Sequence, residues 1–436
     1  MSVLPSPLTA TTEPEPPTRA ARGQVGFALF WSGETVSMFG SQVTLLALPL
    51  TAVLALHATV AQLGLLRFLA AAPYVLCTLV FGAWVDRRRR RPVLIVANAA
   101  RAVVVGAVPL LAVLRLLSLT TLAAAAFIAG VFTVLFEVAW LAYVPALVAP
   151  ERLVTANGRL ATSAAAAEVG GPGLAGVLIQ WLSAPLALLA DAASFVVATI
   201  TLLLIRVPEP VPVADATPHL LGEIGEGMRA VWRDPIQRAI AVMSGLWNCC
   251  NGVAETTFLL YAIRERGLNA GMLGGVLATG AVGGLLGAAI STRVARRGRF
   301  GPVLGVAFTF GCLPWVLLPA VTGPLWLAAG AYALAFFLVH VGLGLWTVLV
   351  LSLRQSLTPP HLLGRTSASI RLISYGLGAL GVLLAGVFGS IIGLRPALWL
   401  AAGGFLAILA VTLLATPLPR VRSLSLPPSS DAATIA

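Results

Sequence analysis

From residue 27 to residue 415 the chain repeats one pattern, an apolar run of about 20–30 residues followed by a short polar or basic break. A helix of about 20 such residues matches the roughly 30 Å hydrocarbon core of a bilayer. Twelve runs can be marked out, at 27–56, 60–85, 92–114, 119–148, 157–182, 185–206, 236–263, 270–292, 301–321, 324–353, 363–391 and 394–415. Charged residues form only 10% of the chain against 58% hydrophobic, with a mean hydropathy of +0.95; soluble domains carry roughly 25% charge. The sequence therefore predicts an all-α membrane protein with twelve transmembrane helices, six on each side of a polar stretch at 207–235.

Charge sets the orientation. The chain has 28 arginines, no lysine and a formal charge of +12. Against the twelve-helix pattern, 21 arginines fall on the face that carries both termini, 4 on the other (Arg115, Arg264, Arg266, Arg395) and 3 within helices (Arg67, Arg101, Arg371). Basic residues accumulate in short cytoplasmic loops. Both termini are accordingly placed in the cytoplasm, and the basic balance marks a membrane surface rather than nucleic acid. Arginine without lysine points to GC-rich coding and to a bacterial cytoplasmic (inner) membrane. Residues 1–24 are expected to be a disordered cytoplasmic tail without a cleavable signal, 25–206 and 236–416 the two six-helix bundles, and 417–436 a second tail. Part of the linker, LGEIGEGMRAVWRDP at 221–235, reads as an amphipathic surface helix or as a disordered spacer. Cys77, Cys249, Cys250 and Cys312 all lie in apolar runs and read as small packing residues.

The halves echo each other. GAAISTRVARRGR from Gly287 sits between helices 8 and 9 as GAWVDRRRRRP from Gly82 sits between helices 2 and 3. Aligning the Gly-Arg pairs at Gly158 and Gly364 gives an offset of 206, whereas aligning Pro150 and Leu153 with Pro360 and Leu363 gives 210; both registers stand. Either register makes the chain an internal repeat of two similar six-helix halves, of the kind related by an axis along the membrane normal.

Five acids interrupt the apolar runs: Glu34, Glu137, Glu168, Asp191 and Glu255. A central charge costs about 2.5–3.5 kcal/mol on insertion scales, so such acids face a cavity, pair with a base or carry a proton. Glu34 shares a helical face with Ser37, Ser41 and Thr44, and Ser244, Asn248, Asn251 and Glu255 recur at three- and four-residue spacing. Two polar stripes suggest a wet cavity; interhelical sealing is the alternative. Trp31 and Trp140 lie one turn from Glu34 and Glu137, an arrangement suited to amphipathic or cationic substrates, or simply to packing. Glu137 is a candidate partner for Arg101, and His340 a candidate proton carrier, although a lone histidine also serves packing.

In the loop after helix 2, Gly82, Asp86 and the run Arg87, Arg88, Arg89, Arg90, Arg91 resemble the signature between helices 2 and 3 of major facilitator superfamily transporters. AEVGGPGLAG, with Gly171, Pro172 and Gly176, resembles the Gly-Pro motif of its drug-antiporter branches. YVPALVAPERLVTANGR at 143–159, DAASF at 191–195 and SLRQSLTPPHLLGR at 352–365 are similar to the macrolide-efflux and enterobactin-exporter type. The resemblance covers about 25–416 and implies the major facilitator fold, export of small hydrophobic or amphipathic molecules by proton antiport, and a path along helices 1, 4, 7 and 10. It implies the proton gradient as energy source with no cofactor or metal, partners limited to substrate, protons and lipid, and a monomer. Glu34, Glu137 and Glu255 are favoured as functional acids, Asp86 and its neighbouring arginines as a cytoplasmic latch, and the Gly-Pro helix as a close-packed outer seal. The second-half loop has no acid matching Asp86. Proton-coupled uptake is the transport alternative, and a receptor without transport a further one. An enzyme is disfavoured, as there is no metal cluster or nucleophile elbow.

Overall fold

The computed structural model describes residues 19–85, 87–148, 152–207, 220–295, 300–359 and 362–420. The tails at 1–18 and 421–436, the linker at 208–219 and Asp86 lie outside the described residues. The described chain is helical throughout: α1 Arg19–Leu50, α2 Val60–Val85, α3 Arg90–Val113, α4 Leu119–Leu147, α5 Leu153–Leu182, α6 Ala184–Leu204, α7 Leu220–Arg233, α8 Pro235–Leu260, α9 Ala270–Ala295, α10 Phe300–Cys312, α11 Leu317–Ala320, α12 Leu325–Leu357, α13 Leu363–Ile391 and α14 Leu394–Ala415. A 3₁₀ turn at Leu313–Val316 joins α10 to α11, and Pro314 within it cannot supply the amide an unbroken α-helix needs. Helix α1 starts at Arg19, earlier than the apolar run suggests, because a polar first turn can extend beyond the bilayer.

Ten helical spans among the described residues are long and apolar enough to cross a membrane. Helices α5 and α8 are long as well but more polar, carrying Arg159 and Glu168, and Arg238, Asn248, Asn251 and Glu255 respectively. Local signals start several helices. The Ser118 hydroxyl accepts from the Thr121 amide while Thr121 caps in return, and Asp234 accepts from the Ile236 and Gln237 amides at 2.8 and 2.9 Å ahead of Pro235.

Packing divides the chain into two halves. Helix α1 packs on α5 and α6, α3 on α4 and α6, and α2 on α4; in the second half α8 packs on α13 and α14, and α12 on α9 and α10. The turns settle the repeat register. The π-turns Thr51–Ala55 and Tyr261–Glu265, the left-handed residues His57 and Gly267, the pair Ser183 and Gly393, and the first residues of α5 and α13 each stand 210 positions apart. The Gly-Arg pairs are therefore an offset echo, not the structural match.

Helix α7 takes the amphipathic-helix alternative and docks on the second half. Val231 is fully buried beside Ala241 and Ile370, and Arg365 on α13 pairs with Glu226 at 2.5 Å. A column of aromatic rings centres the second half: Trp315 stacks on Phe405 at 5.0 Å and meets Phe336 at 5.7 Å, while Phe258 contacts both Tyr332 and Phe336.

Candidate functional site

The halves meet chiefly through α5 on α9 and α2 on α13, with a smaller contact of α2 on α8. These contacts concentrate toward the face away from the termini. A side chain at Gly176 would place its Cβ 2.8 Å from the Ala270 carbonyl oxygen and 3.1 Å from Gly271 Cα, and one at Gly274 would strike the Pro172 carbonyl. At Gly64 a Cβ would lie 2.8 Å from the Val382 carbonyl oxygen and 3.2 Å from the Gly386 amide nitrogen. Only glycine lets backbones approach this closely. Arg264 adds a hydrogen bond to the Ala58 carbonyl at 2.6 Å. On the arginine-rich face Arg371, Tyr375 and Glu137 are exposed, so the interior opens there.

Just beneath the sealed face an ion pair crosses between the halves. Arg67 on α2 meets Glu255 on α8 at 3.3 Å and donates to the Thr256 hydroxyl at 3.0 Å. The pair faces a cavity of about 450 Å³ lined also by Gln42, Glu168, Pro172 and His340. His340 Nδ1 lies 2.8 Å from the Phe336 carbonyl and its ring stacks on Phe336, so this histidine is held by its own helix at the cavity wall.

A second polar group lies inside the first half. Arg101 is buried between the rings of Phe136 and Phe195, with its guanidinium carbon 4.3 Å from each centroid, and donates to Asn98. Glu34, Asp191 and Glu137 all act electrostatically on Arg101. The sequence offered Glu137 as the direct partner of Arg101, but the structure differs. The Glu137 carboxylate accepts from Tyr74 at 2.8 Å, and Arg101 makes no ion pair within 4 Å among the described residues. Arg101 is held by Asn98 and two ring faces, with its Nε unpartnered, and Glu137 is exposed at the opening.

The α1 stripe also departs from expectation. Ser37 is 3% exposed and Thr44 donates to Asp191 on α6, which Ser194 also engages at 3.1 Å. At its Thr44 end this stripe seals α1 against α6 instead of lining a cavity. Trp31 is half-buried, its indole donating to Ser163 at 3.0 Å and Arg159 lying over its ring at 5.7 Å. Trp140 is half-buried, packed with the first half's core, and its indole nitrogen has no partner.

The α8 stripe is divided between two cavities. Ser244 and Asn248 line one of about 470 Å³ within the second half, Glu255 lines the other, and Asn251 is half-buried. In the basic loop, Gly82 is half-buried and Arg87, Arg88 and Arg89 are exposed. Arg91 bonds the Leu202 and Leu203 carbonyls, both at 2.9 Å, satisfying carbonyls left open at the end of α6. Gly171 packs on Gln42 of α1, while Pro172 and Gly176 face α9 of the other half. Sequence reasoning gave no role to Tyr74, Arg67, Arg354 or Arg371. Arginine within an apolar run was the available signal for Arg67 and Arg371; nothing marked Tyr74.

Two matched helical halves, a cavity between them sealed on one face, and charged groups buried in the walls define a multi-pass membrane transporter. The chain belongs to the Major Facilitator Superfamily, whose family model matches residues 30–382. It is 27% identical over 427 residues to the multidrug efflux pump Tap of Mycolicibacterium fortuitum, covering 94% of this chain and 99% of that protein. Among solved structures it is similar to the nucleoside transporter NupG (TM-score 0.72, 10% identity, 89% of this chain and 99% of that one). It is also similar to a bacterial homologue of the iron transporter ferroportin in its inward-facing state (TM-score 0.71, 18% identity, 89% and 98%). Family and fold are those of transporters of small molecules, not of enzymes.

Proposed function

We propose that the chain exports small, hydrophobic or amphipathic molecules across the bacterial cytoplasmic membrane in exchange for protons, by alternating access of its two halves. What supports this reading is a sealed face built on glycine seams above an interior that opens to the arginine-rich side, taken as cytoplasmic. Similarity to a multidrug efflux pump supports the outward direction. Glu34 and Glu137 are the proton-bearing groups: one stands buried beside Arg101, the other at the opening under Tyr74. Asn248 contributes to substrate contact from the second half, and the proton gradient is the energy source. The protein acts as a monomer.

Everted vesicles acidified inside, with a pH-sensitive dye, provide the test. Addition of a transported macrolide, siderophore or lipophilic cation should release protons, with no response in empty vesicles. Glu137→Gln should abolish that release while leaving gradient-free exchange of the same compound. Silence across all three compound classes with folded protein would defeat the antiport reading.

A further inference from the structure

The cavity of about 470 Å³ lies wholly within the second half, between α8, α10, α12 and α13. Two arginines open into it, Arg354 from the end of α12 and Arg371 from α13, among Trp247, Trp346 and Tyr375. Among the described residues neither guanidinium meets a carboxylate within 4 Å. Arg354 donates to the Ser367 hydroxyl at 2.8 Å and its Nε is buried without a partner. Among the described residues Arg371 has no hydrogen bond or ion pair, and it lines the same cavity as Arg354. Glu137 of the other half lies within electrostatic reach of Arg371 and accepts from Tyr74 at 2.8 Å.

Cations in membrane helices normally pair with acids or backbone carbonyls. Arginines that serve only to reach lipid headgroups would snorkel outward; these two line a cavity whose walls also carry Trp247, Trp346 and Tyr375. Trp247 is fixed by donating to the Gly311 carbonyl at 3.1 Å and meets Phe405 at 5.8 Å, so that wall is rigid. A pocket of this size with aromatic sides and paired guanidinium donors matches a flat organic molecule carrying a carboxylate, sulfonate or comparable anionic group.

We propose that this cavity binds the acidic end of an aromatic organic anion, Arg371 and Arg354 engaging the charge and the tryptophans the ring. The proposal rests on the transporter reading for its purpose, but binding alone tests it.

Purified full-length protein in detergent, with no gradient, would be titrated with naphthoate, the neutral isostere naphthamide and the cation naphthylmethylammonium, following tryptophan fluorescence and calorimetry. Naphthoate should bind at least about tenfold more tightly than naphthamide, the effect of a charge-assisted hydrogen bond. Arg371→Gln and Arg354→Gln should each reduce that preference, and Arg371→Lys should keep part of it. Arg371 is exposed to the cavity, so its replacement leaves the packing intact, and unchanged naphthamide affinity reports a folded site. Equal affinity for acid and amide, tightest binding of the cation, or a preference that survives both glutamine variants would overturn the assignment. Naphthoate that binds with this preference yet never exchanges in proteoliposomes would uphold the site and remove the transport reading; exchange of neutral compounds without the preference would do the reverse.

Discussion

Replacing Gly176 by alanine adds one methyl group where α5 touches α9. That methyl would sit 2.8 Å from the Ala270 carbonyl oxygen and 3.1 Å from Gly271 Cα, both backbone atoms that no rotamer change can move. The helices must separate, and overpacking of this kind costs about 1–3 kcal/mol. If the sealed state bears the strain and an outward-open state does not, the equilibrium between them shifts by about 5- to 150-fold. The reporter is Leu259→Cys, placed in a background from which the four native cysteines have been removed; Leu259 lines the cavity beneath the seal and is 7% exposed. A membrane-impermeant maleimide applied to the face away from the termini should label the Gly176→Ala protein several times faster than its parent. Transport should fall with expression unchanged. Labelling within twofold of the parent, with normal transport, would refute the idea that backbone contact at Gly176 holds this face shut.

Neutralising Arg67 or Glu255 should move the same labelling rate in the same direction but by no more than about fivefold, because both side chains are roughly a quarter to a third exposed and such pairs contribute about 1 kcal/mol or less. The exchanged pair, Arg67→Glu with Glu255→Arg, should return toward the parent; continued fast labelling would count against a direct interaction. Thr44→Val removes a donor from buried Asp191 and should lower stability by about 1.5–3 kcal/mol, read as a lower melting temperature in detergent, with an unchanged value as the contrary result. Ser183→Gly should raise stability by up to about 2 kcal/mol, since φ of 87° strains any side chain and the matching position in the second half is already Gly393; a lower melting temperature would rule this out.

The helices were legible because the bilayer imposes length and apolarity on every span, and a local sequence carries both. Register was harder. The Gly-Arg echo at Gly158 and Gly364 looked as good as the Leu153–Leu363 alignment, and only the backbone at His57, Gly267, Ser183 and Gly393 separates them. Helical periodicity correctly grouped Glu34, Ser37 and Thr44 on one face, but it cannot say what that face meets. The answer, Asp191, lies 147 residues later in the chain. Likewise Arg67 and Glu255 were each visible as isolated charges, and their pairing across 188 residues is a property of how the halves dock. Trp31 read as an aromatic neighbour to an acid because Ser163, which accepts from its indole, lies 132 residues away in sequence. Asp86, the acid of the loop signature, falls outside the described residues.

The seal is made of backbone and the pocket of side chains. At Gly64, Gly176 and Gly274 an added side chain meets backbone of the facing helix, whereas Trp247, Trp346, Arg354 and Arg371 stand in a cavity away from those seams. Closure and pocket can therefore be varied separately: a replacement at a seam glycine changes how the halves meet, and one in the cavity wall changes that wall's shape or charge.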